Sequence, residues 1–215
     1  MLHVVIATRN PHKARELTRL LAGAPVAWHS LGEFPWVGAL PERGNTFRAN
    51  AAQKAMAAAR ATGYLALADD SGLEIEALGG APGVRSARFA GHRADDEANT
   101  RKVLRALRRL DRGVHTACYR CVLVLADAER VLVETQGALR GRMVLTPAGH
   151  GGFGYDPIFF VPRLGKTLAQ VPLSRKNRIS HRAVAARRMR QALQLRASAL
   201  APATVPIRMA RFDPS

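Results

Sequence analysis

The stretch Leu67-Ala68-Asp69-Asp70-Ser71-Gly72-Leu73 joins a short apolar run to two carboxylates and a hydroxyl. The run from Leu65 to Ala68 is typical of the end of a buried strand, and we expect the chain to turn at Gly72. Carboxylates at a strand end can hold a hard cation, and ligands of α/β proteins usually bind beyond the carboxyl ends of strands. These residues alone leave two interpretations open, a metal site and a polar turn. Side chains alternate along a strand, so only one of the two aspartates should face a given pocket.

The amino-terminal residues predict a strand, a tight turn and a helix. Leu2 to Ala7 form an apolar run, Asn10 is a favourable helix N-cap, and Pro11 suits the first helical position. A helix start presents free N–H groups and a positive dipole end, and Lys13 lies in the first turn. The segment therefore suits phosphate binding, although it lacks the glycines of a Walker loop and an ordinary capped helix remains open.

Two further segments between this helix and the central stretch hold candidate residues. A glycine- and proline-rich loop over residues 31–44 contains Glu42, an acid that could reach a metal. Thr46 is a candidate N-cap of an alanine-rich helix that runs to about Ala61.

The segment Gly149 to Pro157 contains four glycines around Phe153 and Tyr155. Glycines let the backbone approach a ligand closely while aromatic rings contact it, and Asp156 lies in the same segment. A structural turn before the next strand is the alternative. Farther along, Lys176 precedes a second predicted helix start at Ser180-His181-Arg182.

Length and composition favour one globular domain over residues 1–199, followed by a poorly ordered tail over residues 200–215. The chain has 215 residues, 47% of them hydrophobic, which suffices for a sizeable core. It contains no apolar run near the roughly 18 residues of a membrane span, so we expect a cytoplasmic protein without a membrane partner. Cys118 and Cys121 have C-x-x-C spacing on a predicted strand, and we expect free thiols rather than a zinc or redox site.

The net charge is +17, and the last quarter of the chain carries most of it. Between Pro157 and Phe212 there are twelve Lys or Arg residues and no Asp or Glu. Such a surface attracts polyanions, and nucleic acid, a nucleoside triphosphate and a solubilising role all remain open. Few aromatic residues are interleaved with these charges, which weakens the case for a single-strand stacking surface.

Five motifs together resemble the inosine triphosphate pyrophosphatase family, house-cleaning enzymes for non-standard purine nucleotides. The resemblance covers about residues 2 to 196, and the motifs occur in the family's order. They are Ala7 to Glu16, Thr46 to Ala55, Ala68 to Leu73 with Gly79 to Gly91, Gly151 to Phe159, and Ser180 to Arg182.

The resemblance implies an α/β fold of two lobes, with a long mixed central sheet, a substrate cleft between the lobes and assembly as a homodimer. The implied reaction is hydrolysis of the purine nucleoside triphosphates ITP, dITP or XTP to the monophosphate and pyrophosphate, with Mg²⁺ as cofactor. Asp70 would be the catalytic acid–base residue and a metal ligand, with Glu42 as the second metal ligand and Asp69 pointing away from the cleft. Whether Asp70 mainly binds Mg²⁺ or also takes the proton from water stays open.

The substrate-binding residues are implied by the same resemblance. Those for the triphosphate are Thr8, Arg9, Asn10, Pro11, His12, Lys13 and Lys176. Ser71 would also contact the substrate, and the residues for the base are Phe153, Gly154, Tyr155, Asp156, His181 and Arg182. Donors from His181, Arg182 or the backbone would favour a 6-oxo purine and reject the amino group of adenine.

Two positions depart from the family pattern. Arg9 stands where the family usually has glycine, which could crowd the triphosphate or add a charge to its site. Ala49 replaces a usual glutamate at the capping-box position of the helix that Thr46 begins. We interpret this loss as mainly structural, and the alternative is weaker metal binding if that acid is a ligand.

Two other functions compete with this one. A basic nucleic-acid-binding protein would explain the charge but neither the Asp-Asp-Ser-Gly nor the Gly-Gly-Phe-Gly-Tyr-Asp stretch, so nucleic acid is an unlikely partner. A pyrophosphatase for a modified pyrimidine triphosphate is the nearer alternative, and the pair His181-Arg182 argues against it.

Overall fold

A computed structural model of the chain describes residues 2–91, 95–110 and 113–196, and the side chain of residue 196 is not described. Seven strands form one mixed sheet in the order β2-β1-β3-β4-β5-β6-β7. The strands are β1 (Leu2–Ile6), β2 (Val26–Ser30), β3 (Leu65–Ile75), β4 (His115–Ala126), β5 (Val131–Met143), β6 (Phe159–Val161) and β7 (Lys166–Thr167). The helices are α1 (Pro11–Leu20), α2 (Phe47–Thr62), α3 (Asp96–Leu107), α4 (Leu173–Ile179) and α5 (His181–Arg196). β1 is parallel to β2 and β3, and the later pairs are antiparallel, so the predicted mixed α/β sheet is confirmed.

The predicted helix starts are confirmed by their capping contacts. The side chain of Asn10 accepts hydrogen bonds from the backbone N–H groups of His12 and Lys13 at 2.9 and 3.1 Å. Thr46 caps α2 by accepting from the N–H of Ala49 at 3.1 Å. The methyl side chain of Ala49 cannot accept a hydrogen bond from the N–H of Thr46 in return, so only one half of a capping box is present.

The predicted turn at Gly72 is wrong, because β3 continues to Ile75. β4 is long enough to pair with the whole of this segment, and the ladder keeps the backbone extended. Gly72 has another role. A Cβ atom at this position would lie 2.4 Å from the carbonyl oxygen of Gly83 and 2.5 Å from Oγ of Ser86. Glycine therefore lets the short 3₁₀ helix Gly83–Arg88 pack directly on the strand.

Replacing Gly72 by Ala should lower the free energy of unfolding by about 1–3 kcal/mol, the usual cost of forcing an extra carbon into a packed site. The urea midpoint measures this loss. Gly38→Ala is the control, because a Cβ at Gly38 would meet nothing within 4 Å. Equal midpoints for the two variants would contradict the packing role of Gly72.

Apolar clusters lie on both faces of the sheet and at one end of it. α2 covers one face, where Val5, Ala68 and Val124 are buried. α1 and α5 cover the other face, where Leu67 and Leu123 are buried. The third cluster joins the far ends of β3 to β5 with α3 and β6 and forms the core of the second lobe. The alternation along β3 therefore directs Ala68 toward α2 and Leu67 toward α1 and α5.

Cys118 and Cys121 are free thiols, as predicted, and Cys121 is buried. Within residues 2–91, 95–110 and 113–196 no group of three or more His, Cys, Asp or Glu side chains is arranged to hold a metal ion by itself. No helix in these ranges is both long and apolar enough to cross a membrane. The predicted tail over residues 200–215 lies outside the described residues.

Candidate active site

A cleft that is partly open to solvent lies where both lobes meet. It is formed by the start of α1, the middle of β3, the glycine-rich loop and the helices α4 and α5. Its lining includes many of the residues expected to contact substrate: Asn10, Lys13, Ser71, Phe153, Gly154, Tyr155, Asp156, Lys176, His181 and Arg182. It also includes residues that the sequence did not suggest: Gly72, Ser86, Ala87, Asp96 and Tyr119.

Asp69 is buried directly behind the cleft lining, on the same side of β3 as the cleft, so the prediction that it points away is wrong. Its carboxylate accepts hydrogen bonds from Lys13 and from Oγ of Ser71, the latter at 3.2 Å. Its second oxygen accepts from Nε of Arg182 at 3.2 Å and from the Cys121 thiol at the same distance. Burial opposes ionisation of Asp69, but the charges of Lys13, Arg182 and Lys54 outweigh burial and hold its pKa well below the ordinary value.

Arg182 is almost fully buried and holds several parts of the site together. Its guanidinium donates to Glu16 at 2.7 Å and to Oγ of Ser71 at 2.7 Å, in addition to its bond with Asp69. Burial alone would lower its pKa, but the carboxylates of Asp69 and Glu16 raise it, so the side chain stays charged. With three donor groups committed to protein atoms, Arg182 acts as a positioning residue. Sequence reasoning missed Glu16, whose only local signal is an acid on the buried side of α1.

The glycine-rich loop is fixed by Asp156 and Asp96. Asp156 accepts from the N–H of Phe153 at 3.0 Å and from Nζ of Lys176 at 2.5 Å. Asp96, in the first turn of α3, accepts from the N–H of Gly154 at 2.7 Å. Gly152 has φ +78°, and a Cβ atom there would lie 2.0 Å from the Asp156 carboxylate, so glycine is required. Burial raises the pKa of Asp156 despite the opposing charge of Lys176.

Two ring stacks contribute to the cleft. His12 stacks on Phe153 with ring centroids 5.6 Å apart, and Nζ of Lys176 lies 5.0 Å from the Phe153 ring. Tyr119 stacks on His181 with centroids 4.7 Å apart and the ring planes nearly parallel. Burial and the charge of Arg182 hold the pKa of His181 well below its usual value, so the imidazole is neutral. Its Nδ1 is buried with no hydrogen-bond partner in the described part of the chain, and a ligand could supply one.

A second polar cluster lies across β3, on the face toward α2. Nζ of Lys54 donates to Glu42 at 2.6 Å, to a carboxylate oxygen of Asp70 at 3.0 Å and to the carbonyl oxygen of Asp69 at 2.6 Å. Asn50 donates to the other Asp70 oxygen at 3.2 Å, and Arg88 donates to Glu42 at 2.8 Å. Glu42 and Asp70 are thus together, as the resemblance implied. They are arranged around a buried lysine that sequence reasoning missed.

The two carboxylates of this cluster have opposite pKa shifts. Burial raises the pKa of Asp70 and outweighs the nearby charge of Lys54. Burial also opposes ionisation of Glu42, but Lys54 and Arg88 more than compensate and its pKa is lowered. Asp70 is therefore a stronger base than an ordinary aspartate, while Glu42 stays ionised. Asp70 lies on the opposite side of the strand from Asp69 and is not part of the cleft lining. It is nevertheless next to the cleft, because the charge of Lys13, which lines the cleft, acts on the carboxylates of both Asp70 and Glu42.

The remaining predicted residues lie at the start of α1. Oγ of Thr8 accepts from the N–H of Asn10 at 3.2 Å, and Pro11 is the first residue of the helix. The guanidinium of Arg9 donates to the carbonyl oxygen of Val37. Arg9 therefore links this turn to the loop that contains Glu42.

The chain matches the model of the Ham1 family over residues 4–192. It is 45% identical over 192 residues to the dITP/XTP pyrophosphatase of Desulforamulus reducens, covering 89% of this chain and 96% of that relative. It is 46% identical to the dITP/XTP pyrophosphatase of Geobacter sulfurreducens, covering 85% and 92% of the two chains. The solved structure of a HAM1 protein from Coxiella burnetii superposes with a TM-score of 0.84 at 40% identity, covering 91% of this chain and all of that one.

Proposed function

The chain belongs to the Ham1 family, and on that premise we propose that it hydrolyses ITP, dITP and XTP to the monophosphate and pyrophosphate, keeping these nucleotides out of DNA and RNA. The observation that carries the proposal is a single cleft in which a capped helix start with Lys13 faces an aromatic site formed by Phe153 and His181. Homodimer assembly and a cytoplasmic location belong to the same proposal. They rest on the family resemblance and on the cellular location of nucleotide pools.

The triphosphate needs positive charge and hydrogen-bond donors, and the start of α1 supplies both. The helix presents backbone N–H groups beyond the Asn10 cap, and Lys13 lies beside them. Lys176 adds a second ammonium at the cleft, and Lys54 adds a third across β3. Such preorganised charge neutralises the phosphates and orients them without rearrangement during the reaction.

We propose that Asp70 acts as the general base. It takes a proton from the water molecule that attacks the α-phosphorus. As the new P–O bond forms, the bond between that phosphorus and the oxygen bridging to the β-phosphate breaks, and pyrophosphate leaves with the electron pair. The raised pKa of Asp70 supports this role, because a base is most effective when its pKa approaches the working pH.

Mg²⁺ is the proposed cofactor, and the residues present fit it. The oxygens of Glu42, Asp70 and the Asp69 carbonyl already converge on one cation, the ammonium of Lys54. Two carboxylates combined with substrate phosphates are a common way of holding Mg²⁺ in proteins. When bound, the ion would neutralise phosphate charge and lower the pKa of the attacking water.

Base selection is assigned to His181 and to the backbone around Phe153. His181 is neutral, buried and unpartnered at one ring nitrogen, so it can donate a hydrogen bond to the 6-oxo group of hypoxanthine or xanthine. The 6-amino group of adenine would face that donor and leave both groups without partners, which is a strong basis for rejection. Arg182 contributes by holding Ser71 and Asp69 in place.

The products formed from ITP test the reaction type. With Mg²⁺ present we expect inosine monophosphate and pyrophosphate in equal amounts, because the proposed attack is at the α-phosphorus. Quantifying nucleotides by ion-exchange chromatography and pyrophosphate by a coupled assay measures both products. Addition of EDTA should stop turnover, and restored Mg²⁺ should recover it. Inosine diphosphate and inorganic phosphate as products would contradict the proposal.

A further inference from the structure

Five arginines from three helices line one continuous groove on the side of the molecule next to the cleft. Beside Phe153 and Lys176 the groove is lined by Arg15 and Arg19 of α1. It continues past Asn177 to Arg178 of α4 and to Arg187 and Arg190 of α5, and Arg19 and Asn177 line both halves. We call this surface the arginine groove. The arginine groove therefore combines two arginines of α1 with three from the basic carboxyl-terminal quarter of the chain.

The arginine groove has little negative charge of its own. Across residues 2–91, 95–110 and 113–196, none of its five arginines forms an ion pair with a carboxylate. Arg187 donates to the carbonyl oxygen of Arg178 at 2.8 Å, and Arg15 donates to that of Pro11 at 3.2 Å. The one acid in the lining, Glu16, is paired with Arg182. Grouped like charges repel one another, so an anion bound in the groove would relieve a cost that the free protein bears.

We propose that the arginine groove binds the sugar–phosphate backbone of nucleic acid without selecting bases, which reverses the expectation from the sequence that nucleic acid is an unlikely partner. Guanidinium groups match phosphate oxygens in a two-pronged geometry that ammonium groups do not provide. Several cations along one groove suit repeated phosphates better than a single small anion. Among the described residues, the only ring side chains in the lining are Phe153 and His12, which stack on each other, so contacts to phosphate rather than base stacking would dominate.

An anionic membrane surface fits this region less well. A helix that binds in the plane of a membrane needs an apolar face beside its basic one. In α5 the apolar residues Ala185, Met189 and Leu193 are buried against the sheet. The inference does not rest on the proposed enzymatic activity, because the groove residues lie outside the cleft lining except for Phe153 and Lys176.

Fluorescence anisotropy with a short labelled DNA duplex and a labelled RNA strand of equal length tests the proposal. Contacts to about four phosphates should lower the affinity about 100-fold between about 50 and 200 mM salt, because bound counterions are released. Both probes should bind with similar affinity and without dependence on base composition. Undetectable binding of both probes at the lower salt concentration would overturn the proposal.

Two double variants with the same change in net charge locate the site. Arg187→Glu/Arg190→Glu should weaken binding at least about 10-fold, because it reverses two groove charges. Arg60→Glu/Arg105→Glu, on exposed positions of α2 and α3, should weaken it less than about threefold. Melting temperatures near that of the wild type show that both variants fold. The proposal would be overturned if both double variants weakened nucleic-acid binding equally. It would also be overturned if phosphatidylserine vesicles bound the wild type and lost binding in Arg187→Glu/Arg190→Glu to the same extent as nucleic acid.

Discussion

Asp70→Asn is expected to lower kcat for ITP about 10²- to 10⁴-fold, the usual contribution of a positioned general base. Asparagine has the shape of aspartate but cannot accept the proton from the attacking water. Lys54 keeps its bonds to Glu42 and the Asp69 carbonyl oxygen, so the cluster should stay folded around the change. Initial rates of pyrophosphate release at saturating ITP measure the loss.

The pH dependence of kcat, compared between the wild type and Asp70→Asn, distinguishes a general base from a residue with a purely structural role. The pKa of Asp70 is raised, so the wild-type rate should fall as pH drops through that raised value. The residual rate of Asp70→Asn should not show this fall. The pKa of Asp70 is higher in the folded state than in the unfolded state, so ionised Asp70 lowers stability at neutral pH. The urea midpoint of the variant should therefore be at or above that of the wild type. Wild-type kcat in the variant would contradict the assignment.

Asp69→Asn is the matched comparison, because the two aspartates are adjacent and have opposite pKa shifts. The pKa of Asp69 is held well below its ordinary value. Ionised Asp69 therefore stabilises the folded protein at pH values above the pKa of Asp69 in the unfolded state. That stabilisation is lost as the pH falls through the pKa of Asp69 in the folded state. The Asn variant should thus have a lower urea midpoint at neutral pH. An unchanged midpoint would contradict the role assigned to Asp69.

Arg182→Met should lower the free energy of unfolding by about 3–5 kcal/mol, the usual cost of removing one partner from a buried ion pair. The change leaves the carboxylates of Asp69 and Glu16 buried without their shared cation. Methionine keeps an unbranched apolar stem like that of arginine, so much of the packing made by the stem is retained. Urea denaturation at neutral pH measures the effect.

Arg182→Lys is the control for charge. An ammonium keeps the positive charge but cannot reach Asp69, Glu16 and Ser71 together in the planar geometry of a guanidinium. Its free energy of unfolding should lie between those of the wild type and Arg182→Met. A Met variant as stable as the wild type would show that the buried carboxylates do not depend on Arg182.

The sequence predicted those parts of the fold that local chemistry controls. Asn10 with Pro11, Thr46 and Ser180 each marked a helix start, because a side-chain cap needs only neighbouring residues. The family motifs predicted that Lys13, Phe153 and His181 share one site, and all three residues line the cleft.

Features that depend on distant residues were not predicted. β3 runs on to Ile75 because β4, some fifty residues later in the chain, pairs with it. Asp69 lies on the cleft side of β3 because Arg182 and Lys13, which line the cleft, pair with it there, and no local pattern shows this. Lys54 was not singled out from the sequence, although its spacing of four from Asn50 places both residues on the buried side of α2. A lysine on the apolar face of a predicted helix is the sequence signal that could have identified the second cluster.

The ratio of kcat/KM for ITP and XTP to that for ATP and dTTP, measured by pyrophosphate release with Mg²⁺, tests the central claim most directly. A site that donates a hydrogen bond to a 6-oxo group should favour ITP and XTP over ATP by about 10²-fold or more, because rejection leaves buried polar groups unpaired. dTTP should also be a poor substrate. Equal turnover of ATP and ITP would contradict the account.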